Sequence, residues 1–326
     1  MLKRVITLTI NPAIDKSVTV AGIAPNIKMH CSSPTYDPGG GGINVSRAIK
    51  KLGYDSLCIY LEGGCTGDHL QQLLDKEGIE QLVVPIKGWT RENLAVIDTT
   101  TNQQYRFGMP GPMVKKEEWE TALKLLEQHL EQSDYLVASG KLLPGVPDDF
   151  YVKVAAIARK KKARFILDTS GEALMQAANS HIYILKPNLA ELSALCGVTS
   201  ISVLAIESIA KKFLEDHDCE ILVVSLGAKG ALLATKYEME HIPAPIVHQK
   251  STIGAGDSMV AGMVAGLLQG RTFSEMVKYG VACGTAATMH EGTQLCNKVD
   301  ADKLYEWIKK QKVFPKNRKI IKENGY

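Results

Sequence analysis

Residues 135–168, YLVASGKLLPGVPDDFYVKVAAIARKKKARFILD, contain the pattern that predicts the fold. Tyr135–Ser139 and Phe165–Asp168 are short, nearly continuous apolar runs, as expected of strands that are buried on both faces. Asp149–Lys161, which lies between them, has the apolar spacing of an amphipathic helix. A strand, a helix and a second strand in this order predict a βαβ unit with parallel strands.

The same alternation of apolar runs and amphipathic stretches extends along most of the chain. Further strands are predicted at Val5–Ile10, Leu57–Leu61, Ile182–Lys186 and Ile221–Leu226, and further helices at Ile43–Lys51, His69–Lys76, Lys116–Gln132 and Ile206–Asp216. Two Gly- and Ala-rich helices are predicted at about 257–268 and 274–289. The sequence therefore predicts an α/β fold with an open, mostly parallel sheet that is covered by helices.

Two segments, about 16–38 and 88–107, are rich in Thr, Tyr and Pro and lack helical periodicity. Within the second segment, Leu94–Asp98 and Gln104–Phe107 are separated by a short polar turn, which predicts an antiparallel hairpin. We expect the two segments to pair into one small discontinuous β-sheet over the main domain. Because a small sheet rarely stands alone, it is predicted to be both a lid and the surface of a homodimer.

Length and composition limit the class of protein. The 326 residues are 45% hydrophobic, enough for a large core, and the net charge of +3 indicates no nucleic-acid partner. No apolar run approaches the ~20 residues of a membrane span, and the seven scattered cysteines predict neither disulfides nor a zinc site. We therefore expect a cytoplasmic protein without a membrane partner. It is predicted to form a single domain over residues 1–310, with the lid segments inserted in it, followed by a basic C-terminal tail at 311–326.

Residues 251–258, STIGAGDS, precede the first of the two Gly- and Ala-rich helices. Gly254 and Gly256 allow backbone N–H groups to converge, and the start of a helix adds further N–H groups and a positive dipole. Such a site stabilises the charge on a phosphoryl group during its transfer. Asp257 would face this phosphate, where a carboxylate can accept the proton of an attacking hydroxyl. The alternative is that Asp257 only caps the helix.

A second glycine-rich segment, DPGGGGINVSRA at 37–48, also precedes a predicted helix. Its four glycines would let the backbone approach a ligand closely, and Asn44 offers donors and an acceptor to hydroxyl groups. A plain flexible hinge is the alternative. Asp15, just after the first strand, is suited to accept hydrogen bonds from vicinal sugar hydroxyls. The chain has neither a Walker A pattern nor a GxGxxG fingerprint after its first strand, so P-loop and nicotinamide-dependent classes lack their main support.

The glycine segment at 39–44 and the Asp257 segment occur together in an order that is typical of one family. The chain resembles the ribokinase-like, PfkB-type carbohydrate kinases from Asn11 to about Lys310. Further matches follow in the family's order at Ser139-Gly140, Lys186-Pro187-Asn188 with Glu191, and Ser225-Leu226-Gly227 with Lys229-Gly230. The resemblance implies a three-layer ribokinase-like fold with a small lid, and an ATP-dependent transfer to a sugar hydroxyl.

The resemblance also implies a role for each residue that matches a family motif. Asp257 would be the general base, and Gly254, Ala255 and Gly256 would form the anion hole. Glu191 would hold Mg²⁺ through water, with ATP as the co-substrate. The residues implied on the sugar side are Asp15, Gly40, Gly41, Asn44 and Ser139, and those implied on the nucleotide side are Lys186, Asn188, Ser225, Gly227, Thr252, Gly284 and Ala287.

Two positions depart from the family pattern. Ser251 stands where many members have an Asp that helps to bind an activating monovalent cation, so K⁺ binding here would depend on backbone carbonyls. Lys141 follows Ser139-Gly140 where a Ser is common, which leaves the sugar contacts at this point open.

Three cations, Lys28, Arg91 and Arg106, lie in the predicted lid segments. Cations in a lid over a nearly neutral protein suggest that the substrate itself carries a phosphate, and ordinary surface charge is the alternative. Residues 89–94 and 104–111 resemble the phosphofructokinase branch of the family. Members that act on fructose 1-phosphate or tagatose 6-phosphate commonly have Lys where Gly41 stands, at the third position of the glycine run.

These features together imply transfer of the ATP γ-phosphoryl group to the 1-hydroxyl of fructose 6-phosphate, which gives fructose 1,6-bisphosphate. Tagatose 6-phosphate and fructose 1-phosphate stay open as alternative substrates. A non-catalytic sensor of sugar phosphates on the same fold is the alternative from another class, since a fold alone does not establish a function. The presence of Asp257 argues against a sensor, because a sensor needs no base beside its anion hole.

Overall fold

The computed structural model describes residues 3–202 and 204–311. The strands are β1 (Val5–Thr9), β2 (Ala13–Val20), β3 (Thr35–Gly39), β4 (Leu57–Glu62), β5 (Glu80–Pro85), β6 (Arg91–Asp98), β7 (Gln103–Phe107), β8 (Tyr135–Ser139), β9 (Arg164–Asp168), β10 (Ile182–Leu185), β11 (Cys219–Ser225), β12 (Ala231–Thr235) and β13 (Met239–Ile242). The helices are α1 (Gly41–Lys51), α2 (Gly64–Lys76), α3 (Lys116–His129), α4 (Phe150–Lys161), α5 (Glu172–Ala177), α6 (Leu189–Leu195), α7 (Ile206–Asp216), α8 (Ala255–Leu268), α9 (Phe273–Thr288) and α10 (Lys298–Lys310).

The main sheet of the described residues has nine strands in the order β5-β4-β1-β8-β9-β10-β11-β12-β13. The strands from β5 to β11 run parallel to one another. β12 pairs antiparallel with β11, and β13 antiparallel with β12, at one edge of the sheet. The prediction of a mostly parallel sheet is confirmed.

Helices cover both faces of this sheet. Side chains alternate between the two faces along each strand, so Ile6 and Leu8 of β1 pack into one core cluster and Val5 packs into another. The first cluster also contains residues of α3 to α7, and the second contains residues of α1, α8, α9 and α10. The result is the three-layer arrangement that the family resemblance implies.

The lid segments form a separate four-stranded sheet in the order β3-β2-β6-β7. β2 and β6 run parallel, from Ala13 opposite Arg91 to Val20 opposite Asp98, although they come from different segments of the chain. β6 and β7 form the predicted hairpin. The lid sheet begins at Ala13, slightly before the predicted boundary of 16, because β2 continues almost directly from β1.

The described residues contain no helix that is long and apolar enough to cross a membrane. All seven cysteines lie within the described residues and are free thiols. The predicted basic tail at 311–326 lies outside the described residues except for Gln311.

Candidate active site

The carboxyl ends of the parallel strands all lie on the same side of the sheet, and ligands of open α/β folds bind outside these ends. Ser139 is the last residue of β8. Asn44 lies in the first turn of α1, and Asp257 lies in the first turn of α8. The fold thus brings together two of the predicted sugar-side residues and the predicted general base.

The carboxylate of Asp257 is held at both of its oxygens. Asn44 Nδ2 donates a hydrogen bond to Asp257 Oδ2 at 2.9 Å, and Ser139 Oγ donates to Asp257 Oδ1 at 3.3 Å. Among the described residues, α8 has no side-chain bond at its N-cap, which is Gly254. The alternative that Asp257 only caps the helix therefore has no support, since its carboxylate points to α1 and β8.

Burial, and after it the negative charge of Asp168, raise the pKa of Asp257 to about 6. The hydrogen bond from Asn44, the charge of Lys186 and the hydrogen bond from Ser139 all act in the opposite direction. A carboxylate with this pKa is ionised at neutral pH and is more basic than an ordinary Asp. It is therefore suited to accept a proton from a hydroxyl group.

Glycine is required at two positions around this carboxylate. Gly254 has a φ of 70°, and a Cβ there would lie 2.4 Å from Leu295 Cδ2. A Cβ on Gly41 would lie 2.3 Å from Ser139 Oγ and 2.8 Å from the backbone N of Gly140. The glycine run was expected to let a ligand approach the backbone, but at Gly41 the group that approaches is Ser139 itself.

A cavity of about 360 Å³ lies between the lid sheet and the loop before α8. Its lining residues are Asp15, Lys16, Ser17, Arg91, Asn93, Leu94, Ala95, Arg106, Phe107, Gly108, Ile253 and Thr293. Three of the predicted sugar-side residues, Asp15, Arg91 and Arg106, are among them. Lys28 is exposed and does not belong to this set, so its predicted contact with the substrate stays a prediction.

Arg91 and Arg106 differ in how much of each guanidinium is free to bind a ligand. Arg91 donates to the backbone oxygens of Met109 and Asn11 at 3.1 and 3.2 Å, and to Asn93 Oδ1 at 3.2 Å. Arg106 is exposed on β7, and its guanidinium forms no hydrogen bond or ion pair with the described residues. Of the two, Arg106 is therefore the cation with more donors available for a phosphate.

Thr293 is a cavity residue to which the sequence assigned no role. Its side chain is 4% exposed, and its hydroxyl has no hydrogen-bond partner among the described residues. A buried hydroxyl without a partner is costly, and a substrate hydroxyl or phosphate in the cavity would satisfy it. The residue lies in a loop after α9, where sequence periodicity says nothing about side-chain direction.

A second cavity, of about 340 Å³, lies on the nucleotide side that the motifs predict. Its lining residues are Asn188, Leu189, Ala190, Ile206, Ser225, Leu226, Gly227, Lys229 and His241. Asn188, Ser225 and Gly227 are thus together, as the resemblance implies. Thr252 is exposed in the loop before α8.

Lys186 is a buried cation close to Asp257 and to the start of α8. Its Nζ is 3.0 Å from Asp168 Oδ1, and its side chain is 5% exposed. Burial alone would lower the pKa of Lys186, but the Asp168 carboxylate raises it above the usual value. A Cβ on Gly256 would lie 3.7 Å from this ammonium group. A positive charge therefore stands beside the predicted anion hole.

Gly284 and Ala287 lie on α9, outside the set of described residues that line the second cavity. A Cβ on Gly284 would lie 3.1 Å from the Ala255 carbonyl oxygen and 3.3 Å from Met259 Cβ. Ala287 is buried in the core cluster that contains α8 and α9. Close packing of these two helices accounts for both small residues, and their contact with adenine stays a prediction.

Asn188 and Glu191 form a capping box at the start of α6. Asn188 Oδ1 accepts from Glu191 N at 2.9 Å, and Glu191 Oε2 accepts from Asn188 N at 2.8 Å. Residues 3–202 and 204–311 contain no cluster of three or more His, Cys, Asp or Glu side chains that could hold a metal ion. Mg²⁺ is commonly bound by one or two carboxylates together with substrate phosphates. The second oxygen of Glu191, which the capping box leaves free, fits that mode of binding.

Known proteins resemble this chain over most of its length. Residues 5–300 match the family model described as pfkB family carbohydrate kinase. The ATP-dependent 6-phosphofructokinase isozyme 2 of Escherichia coli (strain K12) is 40% identical over 308 residues, which cover 94% of this chain and 99% of that protein. The 1-phosphofructokinase of Bacillus subtilis (strain 168) is 33% identical over 285 residues, which cover 87% of this chain and 92% of that protein.

The fold has a close counterpart among solved structures. The crystal structure of phosphofructokinase-2 from Escherichia coli in complex with potassium superimposes with a TM-score of 0.90 at 38% identity, covering 94% of this chain and 99% of that one. The chain therefore belongs to the pfkB family of carbohydrate kinases, and its fold is ribokinase-like.

Proposed function

We propose that this chain transfers the γ-phosphoryl group of ATP to the 1-hydroxyl of fructose 6-phosphate. The observation that carries the proposal is the position of Asp257 at the start of α8, where Asn44 and Ser139 hold its two oxygens. In the reaction, Asp257 accepts the proton of the 1-hydroxyl while the hydroxyl oxygen bonds to the γ-phosphorus. The bond from that phosphorus to the β–γ bridging oxygen breaks, and ADP leaves.

Charge on the transferring group is stabilised by the start of α8. The backbone N–H groups that follow Gly254 and the ammonium of Lys186 surround the place where this charge develops. A low-dielectric environment strengthens these interactions, and the burial that raises the pKa of Asp257 is a sign of such an environment.

The sugar phosphate is proposed to occupy the cavity under the lid. Asp15 accepts a hydrogen bond from Asn93 Nδ2 at 2.8 Å, and its carboxylate faces the cavity where sugar hydroxyls would bind. Arg106 supplies a charged fork for the 6-phosphate, and Thr293 supplies an unpaired hydroxyl. Gly40, Gly41, Asn44 and Ser139 do not line this cavity, and their contacts with the sugar are proposed from the family resemblance alone.

The nucleotide is proposed to bind in the second cavity, with its phosphates directed toward Lys186 and the start of α8. When bound, Mg²⁺ would neutralise phosphate charge, and Glu191 is the residue proposed to hold it through water. A monovalent cation is a further proposed ligand, held by backbone carbonyls near Ser251, and the Escherichia coli structure named above contains potassium.

Fructose 6-phosphate is preferred over the two alternative substrates for two reasons. Identity is 40% to the 6-phosphofructokinase and 33% to the 1-phosphofructokinase. Gly41 stands where members that act on the alternative sugars commonly have Lys, and the space there is filled by Ser139. A lysine side chain could not enter without moving Ser139 away from Asp257.

The lid sheet is proposed to be the surface of a homodimer. All five residues of β7 are exposed, and its apolar members Tyr105 and Phe107 are accompanied by Ile27 and Met29 in the loop after β2. Exposed large apolar side chains on a small sheet favour protein contacts. The seven free thiols support the further proposal of a reducing, cytoplasmic compartment.

An ADP-release assay tests the proposal directly. The protein is given MgATP with fructose 6-phosphate, tagatose 6-phosphate, fructose 1-phosphate or unphosphorylated fructose. Fastest turnover with fructose 6-phosphate is expected. Preference for another sugar would contradict the assignment of the substrate but leave the kinase intact, and no turnover with any of them would favour the sensor.

A further inference from the structure

Arg47 is a buried charge that the proposed reaction does not use directly. It lies on α1 and its side chain is 2% exposed. A buried guanidinium is stable only where hydrogen-bond acceptors surround it. Its Nε donates to both carboxylate oxygens of Glu77, at 2.8 and 2.9 Å, and its NH2 group donates to Glu77 at 2.7 Å.

The remaining guanidinium nitrogen faces the candidate active site. Nη1 of Arg47 donates to the backbone oxygen of Pro38 at 2.8 Å and to Asn44 Oδ1 at 3.4 Å. Pro38 belongs to β3, the lid strand that leads into the glycine run. One nitrogen therefore contacts both the lid and the residue that holds Asp257.

The chemistry of these groups determines which way the Asn44 amide points. Arg has only donors, whereas an Asn amide has an oxygen that accepts and a nitrogen that donates. With its oxygen directed to Arg47, Asn44 must present its nitrogen to Asp257, as observed. Rotation of the amide by half a turn would place its oxygen against the carboxylate and lose the hydrogen bond.

We propose that Arg47 is a positioning residue for phosphoryl transfer: it orients the Asn44 amide toward Asp257 and ties that orientation to the lid strand β3. The proposal rests on the proposed role of Asp257 as the base. Arg47 itself touches no reacting atom, so its effect is on the geometry and basicity of Asp257.

Other charges near these groups do not replace this contact. Asp168 and Lys186 face Asp257 from the ends of β9 and β10, and among the described residues the ion pairs of Arg47 are with Asp37 and Glu77 instead. Around Arg47 stand Glu77, Asp37 at 3.7 Å from NH2, and Lys51. None of these three donates to Asn44 in the described residues.

The test is the pH dependence of kcat/KM for fructose 6-phosphate in an Arg47→Gln variant. Loss of one hydrogen bond to the carboxylate should move the acid limb of the profile about one unit to higher pH. The second ionisation of a phosphate falls in a similar range, so wild type and variant must be compared with the same sugar phosphate. The KM for ATP should stay unchanged.

Glu77→Gln is the matched control. Glutamine keeps an acceptor for Arg47 but removes the negative charge. We therefore expect a lower free energy of unfolding, while the acid limb of the kcat/KM profile stays at the same pH as in wild type. In an Asn44→Ala background, Arg47→Gln should cause no further shift, because the contact through which it acts is already gone.

The possible results distinguish a failure of the proposal for Arg47 from a failure of the proposed base. An Arg47→Gln profile that coincides with wild type would overturn the proposal and leave Arg47 a structural residue. If Arg47→Gln does not fold, Arg47→Lys serves instead, because an ammonium group cannot reach Glu77, Pro38 and Asn44 together, and the same shift is expected. Full turnover in Asp257→Asn would instead refute the proposed base, whatever Arg47 does.

Discussion

Replacement of Gly41 by Ala is a direct test of how the glycine run supports the base. The added Cβ would lie 2.3 Å from Ser139 Oγ, 2.7 Å from the Ser139 carbonyl carbon and 2.8 Å from the Gly140 backbone N. Ordinary contacts between such atoms are about 3.5 Å. Because two of the three atoms belong to the backbone, the end of β8 must move by about 1 Å to accommodate the methyl group.

The structure sets the size of the expected effect. Overpacking of a close contact costs about 1–3 kcal/mol of the free energy of unfolding. The Ser139–Asp257 hydrogen bond is already 3.3 Å long, so a shift of this size breaks it. Without this bond Asp257 is held at one oxygen only, and we expect the resulting misorientation to lower kcat about 10-fold, which corresponds to about 1.4 kcal/mol in the activation barrier.

The assays are urea unfolding and ADP release with fructose 6-phosphate. Gly108→Ala is the control for stability, because a Cβ there meets no atom within 4 Å and the residue has no positive φ. Its free energy of unfolding should change by less than about 0.5 kcal/mol. A Gly41→Ala variant with unchanged kcat would refute the claim that the Ser139 contact matters for the base.

Two further predictions concern pH and the lid cavity. Because the base must be ionised, kcat/KM should fall as the pH drops through about 6, which is the raised pKa of Asp257. A profile of kcat/KM that stays flat down to pH 5 would contradict this prediction. Arg106→Ala and Thr293→Val should each raise the KM for fructose 6-phosphate, by about 10-fold or more for the cation, with a smaller change in kcat. Unchanged KM values in steady-state assays of both variants would remove the cavity as the sugar-phosphate site.

Much of the main fold follows from local pattern. Strands that are buried on both faces, such as Tyr135–Ser139, have apolar runs that the sequence displays directly. β5, β12 and β13 were not predicted, and β5 and β13 are the two edge strands of the main sheet. β5 is exposed at Glu80 and Pro85, and Val84 is the one fully buried residue between them, so the strand shows neither a continuous apolar run nor a regular alternation. An edge strand buries less apolar surface than a central strand, so its sequence has a weaker apolar pattern.

The active site was predictable as a set of motifs but not as a set of contacts. Asn44 and Asp257 are 213 positions apart, and the parallel sheet explains why both lie at the same edge. Which atoms bond is decided by side-chain directions at two helix starts, which spacing alone cannot give. Asn44 was expected to bind sugar hydroxyls, and the structure adds a bond to the base.

Thr293 and Arg47 could not be given a role from the sequence. Thr293 becomes a candidate only because its hydroxyl is buried without a partner beside the cavity. Arg47 follows Asn44 by three positions on α1, so the sequence predicts that the two side chains share one face of the helix. The contact of Arg47 with Pro38, however, depends on the course of β3. In the sequence, Lys28 and Arg106 are equally good candidates for a lid cation that binds phosphate. In the structure, Arg106 lines the cavity and Lys28 does not.

The most direct test of the central claim is the turnover of Asp257→Asn with saturating MgATP and fructose 6-phosphate. Asparagine has nearly the same shape and can still accept a hydrogen bond from Asn44 or Ser139, but it cannot take a proton at neutral pH. We expect a loss of at least ~10²-fold in kcat, with ATP affinity close to wild type. Turnover within a few-fold of wild type would contradict the claim that Asp257 is the general base.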